Sequence, residues 1–145
     1  MSYTRYVTMV VIDPNHGFTV GITKKKGPAF LLGRVTFPGG KIEEGESALQ
    51  AASREMLEET GVTVPESAWE TLFVREAEDH CLHVLVAVSD KVLHARQREE
   101  EPVWHLAYER HLEYARRQPA QYAPDFVDVL EGALAKVGVA VPQVV

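Results

Sequence analysis

Glu55, Glu58 and Glu59 stand at i, i+3 and i+4, so on a helix all three carboxylates leave one face. Like charges at that spacing repel, and each pair weakens an isolated helix by roughly a few tenths of a kcal/mol. A hard divalent cation offsets such crowding. Mg²⁺ takes oxygen ligands and commonly shares them between a few carboxylates and substrate phosphates. Arg54, next in sequence to Glu55, adds a permanent positive charge that can hold a carboxylate in orientation. The competing account of the same residues is a solvated acidic helix face, which is what most glutamate clusters are.

The elements that must position these side chains are legible around them. Ser47 to Thr60 reads as a helix: Ser47 with Gln50 three residues on forms a capping box, and Gly61 stands where a left-handed terminator belongs. Leu49, Ala52, Met56 and Thr60 make the opposite stripe, predicted to bury against a sheet. Upstream, Tyr6 to Ile12 is a β-branched run ended by Asp13-Pro14-Asn15-His16-Gly17, and Phe18 to Thr23 reads as its hairpin partner. Arg34 to Phe37 reads as a short strand before Pro38-Gly39-Gly40. Glu70 to Glu76 and Leu82 to Val88 follow, joined by a turn at Glu78-Asp79, then Val103 to Leu106. Helical patterns near Tyr108 to Arg116 and Asp125 to Lys136 close the chain. Interleaved strands and helices with hairpins predict an α/β fold with a mixed sheet. At 145 residues, without repeats or linkers, the expectation is one domain spanning 1–145.

The spacing decides between the two accounts of the glutamates. Gly40, Glu46, Arg54, Glu55, Glu58, Glu59 and Gly61, with Met56 and Val62 in two apolar slots, match the Nudix box position for position. With average residue frequencies, a chance match in a chain this long is on the order of one in ten million. Phe37-Pro38-Gly39-Gly40-Lys41 resembles the family's lead-in, and the order of elements around the box resembles the family too. The resemblance implies an α/β/α Nudix sandwich carrying a loop-helix motif, and Mg²⁺-dependent hydrolysis of a nucleoside diphosphate linked to a further group, with Mn²⁺ as a substitute ion. The family's metal ligands carry over to Glu58, Glu59 and Glu55, with the backbone carbonyl of Gly39 beside them. Some relatives use the glutamate at the Glu55 position as general base, and others take the base from a later loop. That leaves the base open between Glu55, with Arg54 beside it, and a glutamate of the run Arg98-Glu99-Glu100-Glu101-Pro102 just before Trp104, of which Glu100 is the candidate. Glu46, Gly40 and Gly61 read as scaffold of the motif.

Lys24, Arg34 and Lys41 are candidate counter-charges for substrate phosphates, against the ordinary account of loop lysines as solvated. Other candidates fare worse. His80 and His83 fall on opposite faces of a strand and are poorly placed to chelate one ion. Cys81 reads as a small buried residue. Trp104 and Tyr122 read as core aromatics rather than stacking platforms for a base. Asp125 lies near where some MutT-like relatives read a purine edge, but a helix start accounts for it more simply.

A net charge of −6 argues against a nucleic-acid polymer or a membrane surface as partner, though not against a small nucleotide held through a metal. A single cysteine, no secretory pattern at the N-terminus and no long apolar stretch fit a cytoplasmic protein; a homodimer is compatible with the sequence. Subfamily marks narrow the substrate. The proline that ADP-ribose hydrolases carry about 15 residues past the box would fall at Ala77, and the tyrosine of diadenosine polyphosphate hydrolases at Glu78 or Asp79. Elimination leaves a MutT-like nucleoside triphosphate pyrophosphohydrolase, acting on ordinary, oxidised or non-standard nucleotides. The alternatives are an ADP-ribose or nucleotide-sugar pyrophosphatase and, in another class, a non-catalytic nucleotide sensor.

Overall fold

The computed structural model of the chain describes residues 3–140. Strand β1 (Thr4–Asp13) organises the rest, because its near-continuous apolar run can be buried on both faces. Val7, Met9 and Val11 enter one apolar cluster, and Val10 and Ile12 enter another on the opposite side. The further strands are β2 (Phe18–Thr23), β3 (Val35–Thr36), β4 (Gly39–Lys41), β5 (Glu70–Glu76), β6 (His80–Val88) and β7 (Val103–Ala107). They form one mixed seven-stranded sheet. β1 runs parallel to β6 along its whole length, from Thr4↔His80 to Ile12↔Val88, and β5 closes that side.

On its other edge β1 serves two partners in turn. β4 pairs antiparallel with Tyr6, Val7 and Thr8, and β2 with Ile12 and Asp13. Between them Met9 N–H donates to Pro38 O at 2.9 Å, and the Thr19 hydroxyl donates to Val11 O at 2.7 Å. β2 then leaves β1, takes β3 on the vacated edge and holds β7 on the other. The sheet therefore branches beside Pro38-Gly39-Gly40.

Helix α1 (Ala48–Thr60) covers one face, burying Ala51, Ala52 and Met56 with Val7, Met9, Val11 and Leu85. Helices α2 (Tyr108–Arg117) and α3 (Phe126–Lys136) cover the other, burying Leu112, Phe126, Leu130 and Leu134 with Val10, Ile12, Val84 and Val86. The expected α/β/α sandwich is the observed one. Among the described residues no helix is long and apolar enough to cross a membrane.

Three local expectations change. Gly39 to Lys41, beyond the end of the strand expected over Arg34 to Phe37, is itself a strand whose pairing comes from the free edge of β1 rather than from its own low propensity. Trp104, expected in the core, is 48% exposed, its Nε1 donating to Thr23 Oγ1 at 2.8 Å. Asp125 occupies the N-cap position of α3, but its side chain makes no capping bond. Tyr122 is a core residue, packed on Phe126 and bonded through its hydroxyl to His111 Nδ1 at 2.8 Å. Cys81 is buried, its thiol pKa raised by that burial, and only His83 of the two nearby histidines lies on its side of β6, at 3.5 Å.

Candidate active site

Helix α1 begins and ends as its sequence dictates. The Ser47 hydroxyl accepts from Gln50 N–H at 3.1 Å while Gln50 Oε1 accepts from Ser47 N–H at 2.8 Å. Gly61 closes the helix at φ +77°, a left-handed conformation that costs glycine nothing, with its N–H donating to Leu57 O. Arg98 Nη1 also donates to Leu57 O, at 3.1 Å, and Arg96 N–H donates to Thr60 O at 2.9 Å. The segment following β6 thus docks on the C-terminal end of α1, where carbonyls and the helix dipole favour positive charge.

Arg54 gathers the acidic residues of the motif. Its Nε and Nη2 hold both oxygens of Glu46, at 2.7 and 2.9 Å, while Nη1 donates to Glu55 at 2.9 Å and Glu58 at 3.2 Å. Nη2 also donates to Lys41 O at 3.1 Å, which ties α1 to β4. This fork-on-carboxylate geometry is the strong form of the interaction. Hydrogen bonding from Arg54 pulls the Glu46 pKa down to about 2, so Glu46 stays ionised at any working pH. Glu46 is thereby the dock for Arg54.

Gly40 is a glycine because Glu55 lies on it: a Cβ there would collide with the Glu55 carboxyl carbon and both its oxygens. We expect Gly40→Ala to displace Glu55 and lower turnover by about tenfold or more, with a lower melting temperature. Steady-state kinetics and a thermal melt check this, and unchanged values in both would refute the packing argument.

The three glutamates differ sharply in environment. Glu58 has a half-exposed side chain. Glu55 is largely buried, and burial raises its pKa against the opposing pull of Arg54, with Glu58 and Glu99 adding to the rise. Glu59 is the extreme case. Burial, then the charges of Glu55, Glu101 and Glu99, push its pKa up to about 8, with Lys24 opposing. Among the described residues its Oε2 is the one buried side-chain oxygen or nitrogen without a hydrogen-bond partner. A buried carboxylate oxygen without a donor is costly unless a cation serves it. Hard oxygen donors of this kind fit a divalent ion. No three His, Cys, Asp or Glu side chains among the described residues are already drawn into chelating geometry. Arg54 instead engages Glu55 and Glu58.

The remaining candidates separate. Lys24 is brought in: its Nζ lies 3.4 Å from Glu101 Oε2. Arg34 spends a guanidinium nitrogen on Tyr122 O at 3.2 Å. Lys41 exposes its side chain and lends the motif its carbonyl. Glu100 is exposed, whereas Glu101 is 7% exposed and, with Glu99, acts on Glu59. Of the three loop glutamates, Glu101 is therefore the buried one, while Glu99 and Glu100 are both exposed. Glu101 carries no special signal of its own in a run of three identical residues.

Comparison with known proteins identifies the family. The model of the NUDIX domain matches residues 2–126. The chain is 43% identical to the 8-oxo-dGTP diphosphatase of Escherichia coli over 54 residues, 37% of this chain and 42% of that protein. It is 41% identical to the oxidized purine nucleoside triphosphate hydrolase of Mus musculus over 64 residues, 44% of this chain and 39% of that protein. The match thus spans less than half the length of these relatives. Among solved structures, one from a study of MutT of Aliivibrio salmonicida and Vibrio cholerae superposes with a TM-score of 0.67 at 21% identity, covering 90% of this chain and 98% of the other. A MutT/nudix family protein from Enterococcus faecalis gives 0.62 at 20% identity, over 72% and 44%. With its motif intact and a family match across most of its length, the chain is a MutT-like member of the Nudix hydrolase family.

Proposed function

We propose that the protein is a Mg²⁺-dependent pyrophosphohydrolase that converts a nucleoside triphosphate, including oxidised purine forms, to the monophosphate and pyrophosphate. The observation that carries this reading is the buried, unpartnered Glu59 oxygen in a cluster with Glu55, Glu99 and Glu101. Glu55, Glu58 and Glu59, with the Gly39 carbonyl, would hold the ion. When bound it supplies charge neutralisation on phosphoryl oxygens and a water of lowered pKa.

The chain's own residues do the rest. Glu55, oriented by Arg54 Nη1 at 2.9 Å, is one candidate proton acceptor for an attacking water. Glu99, whose carboxylate makes no ion pair among the described residues, is the loop's candidate for the same task. Lys24 offers a positive charge to the phosphate chain. Asp125, half-buried and not spent on capping α3, is available to accept from a purine edge.

The test is a pyrophosphate and phosphate release screen with Mg²⁺ over ordinary and oxidised nucleoside triphosphates, ADP-ribose, nucleotide sugars and dinucleoside polyphosphates. Pyrophosphate from triphosphates is the expected result. Monophosphate pairs from ADP-ribose or sugars would reassign the substrate class. Nucleotide binding without turnover would make the protein a sensor.

A further inference from the structure

Glu101 is buried to 7% exposure at the junction of two loops, and its partners are unusual for a loop glutamate. Its Oε2 accepts from Lys25 N–H at 2.9 Å and lies 3.4 Å from Lys24 Nζ. The pairing of β2 with β7 brings these residues together: Ile22 opposes Val103, and Thr23 N–H donates to Pro102 O at 3.1 Å. The 24–33 loop is closed at its own base by Lys24 N–H to Arg34 O at 3.0 Å and Gly33 N–H to Lys24 O at 2.8 Å. Glu101 adds the bond that ties this loop to the segment before β7. Lys24, held on Glu101, is also the cation that acts on Glu59.

We propose that Glu101 is a positioning residue, a latch that fixes the Lys24–Lys25 backbone and holds the Lys24 ammonium at the edge of the carboxylate cluster to receive a substrate phosphate. It is not the proton acceptor. Its Oε2 is engaged by a fixed N–H and an ammonium, so the carboxylate is held in one orientation and its charge is shared with Lys24. The phosphate-binding half of this proposal rests on the nucleotide reading above; the latch itself does not.

The variants Glu101→Ala, Glu101→Gln and Lys24→Met separate these roles. With a nucleoside triphosphate the wild type hydrolyses, Glu101→Ala and Lys24→Met should each raise KM by about tenfold, the worth of one charge-assisted contact. For Glu101→Ala kcat should fall by much less than KM rises, within about threefold of wild type, because Glu55, Glu58 and Glu59 keep their places. Combining Lys24→Met with Glu101→Gln should add little to either alone, since the two residues act as one unit. Independently of turnover, hydrogen exchange on the protein without nucleotide or metal should show the Lys25 amide deprotected in Glu101→Ala. Glu101→Gln keeps a carbonyl acceptor and should preserve that protection. A fall in kcat of more than about a hundredfold in both Glu101 variants would make Glu101 a proton acceptor or metal ligand and overturn the proposal. Unaltered KM in every variant, with the Lys25 amide still protected in Glu101→Ala, would overturn it as well. Should the wild type hydrolyse no nucleotide, the hydrolase reading fails, and the exchange measurement still decides the latch.

Discussion

Glu59→Gln should lower Mg²⁺-dependent turnover by about a thousandfold or more without disturbing the fold. Glutamine has nearly the shape of glutamate, so packing beside the wholly buried Met56 and Thr60 is kept. What is lost is a formal charge on a buried oxygen without a hydrogen-bond partner, where screening by water is weak and each charge counts more. Glu58→Gln should also lose turnover, although the half-exposed Glu58 side chain gives up a contact to Arg54 rather than a buried charge. Glu100→Gln is the internal control. Glu100 is exposed and should tolerate the change within about twofold. Turnover against Mg²⁺ concentration, with circular dichroism to confirm folding, measures all three. Wild-type rates in both Glu58→Gln and Glu59→Gln would remove the metal assignment.

What could be read from the sequence follows a physical division. α1 was legible because its signals are local: the Ser47–Gln50 box, the Gly61 terminator and the i, i+3, i+4 carboxylates lie within one stretch of chain. The sandwich was legible because a doubly buried β1 requires cover on both faces. β4 was not, because Gly39-Gly40-Lys41 has no strand preference and is recruited by an edge of β1 more than thirty residues away in sequence. Nor could the run Glu99-Glu100-Glu101 show which carboxylate turns inward, since that depends on the Lys25 N–H across the β2–β7 pairing. Trp104 misled for a related reason: it has the alternation of a core residue, but it stands on β7 opposite Gly21, where the face remains open to solvent.

Arg54 shows how much a correct local reading can understate. Adjacency suggested one oriented carboxylate, whereas the folded loop brings Glu46 back onto the same guanidinium and adds Glu58 and Lys41 O. One permanently charged, planar donor thus sets the loop against the helix and divides the glutamates into two groups. Glu46 is neutralised by it outright, and Glu55 and Glu58 are held by a single shared nitrogen. Glu59 has no share in that charge.

That isolation has a consequence for stability, and its sign is the reverse of the usual carboxylate case. Glu59 binds its proton more tightly in the folded chain than in the unfolded one, with the pKa pushed up from 4.5 to about 8. The favourable contribution of its protonated form is therefore fully present below about pH 4.5 and is lost as the pH rises through 8. A glutamine cannot ionise and escapes the loss. Without divalent metal, Glu59→Gln and wild type should melt together near pH 4.5. Near pH 9 the variant should be more stable by about 2 kcal/mol, roughly 6 °C in Tm. Adding Mg²⁺ at pH 9 should narrow or reverse that gap, because an ion that binds only the folded carboxylate cluster at about a hundred times its Kd stabilises by about 2.7 kcal/mol. The variant, with a weakened site, should gain much less. Thermal melts across pH 4.5 to 9, with chelator and with Mg²⁺, measure both effects. A variant that is no more stable than wild type at pH 9 in chelator would mean that Glu59 is not the strained charge its burial implies, whatever its role in turnover.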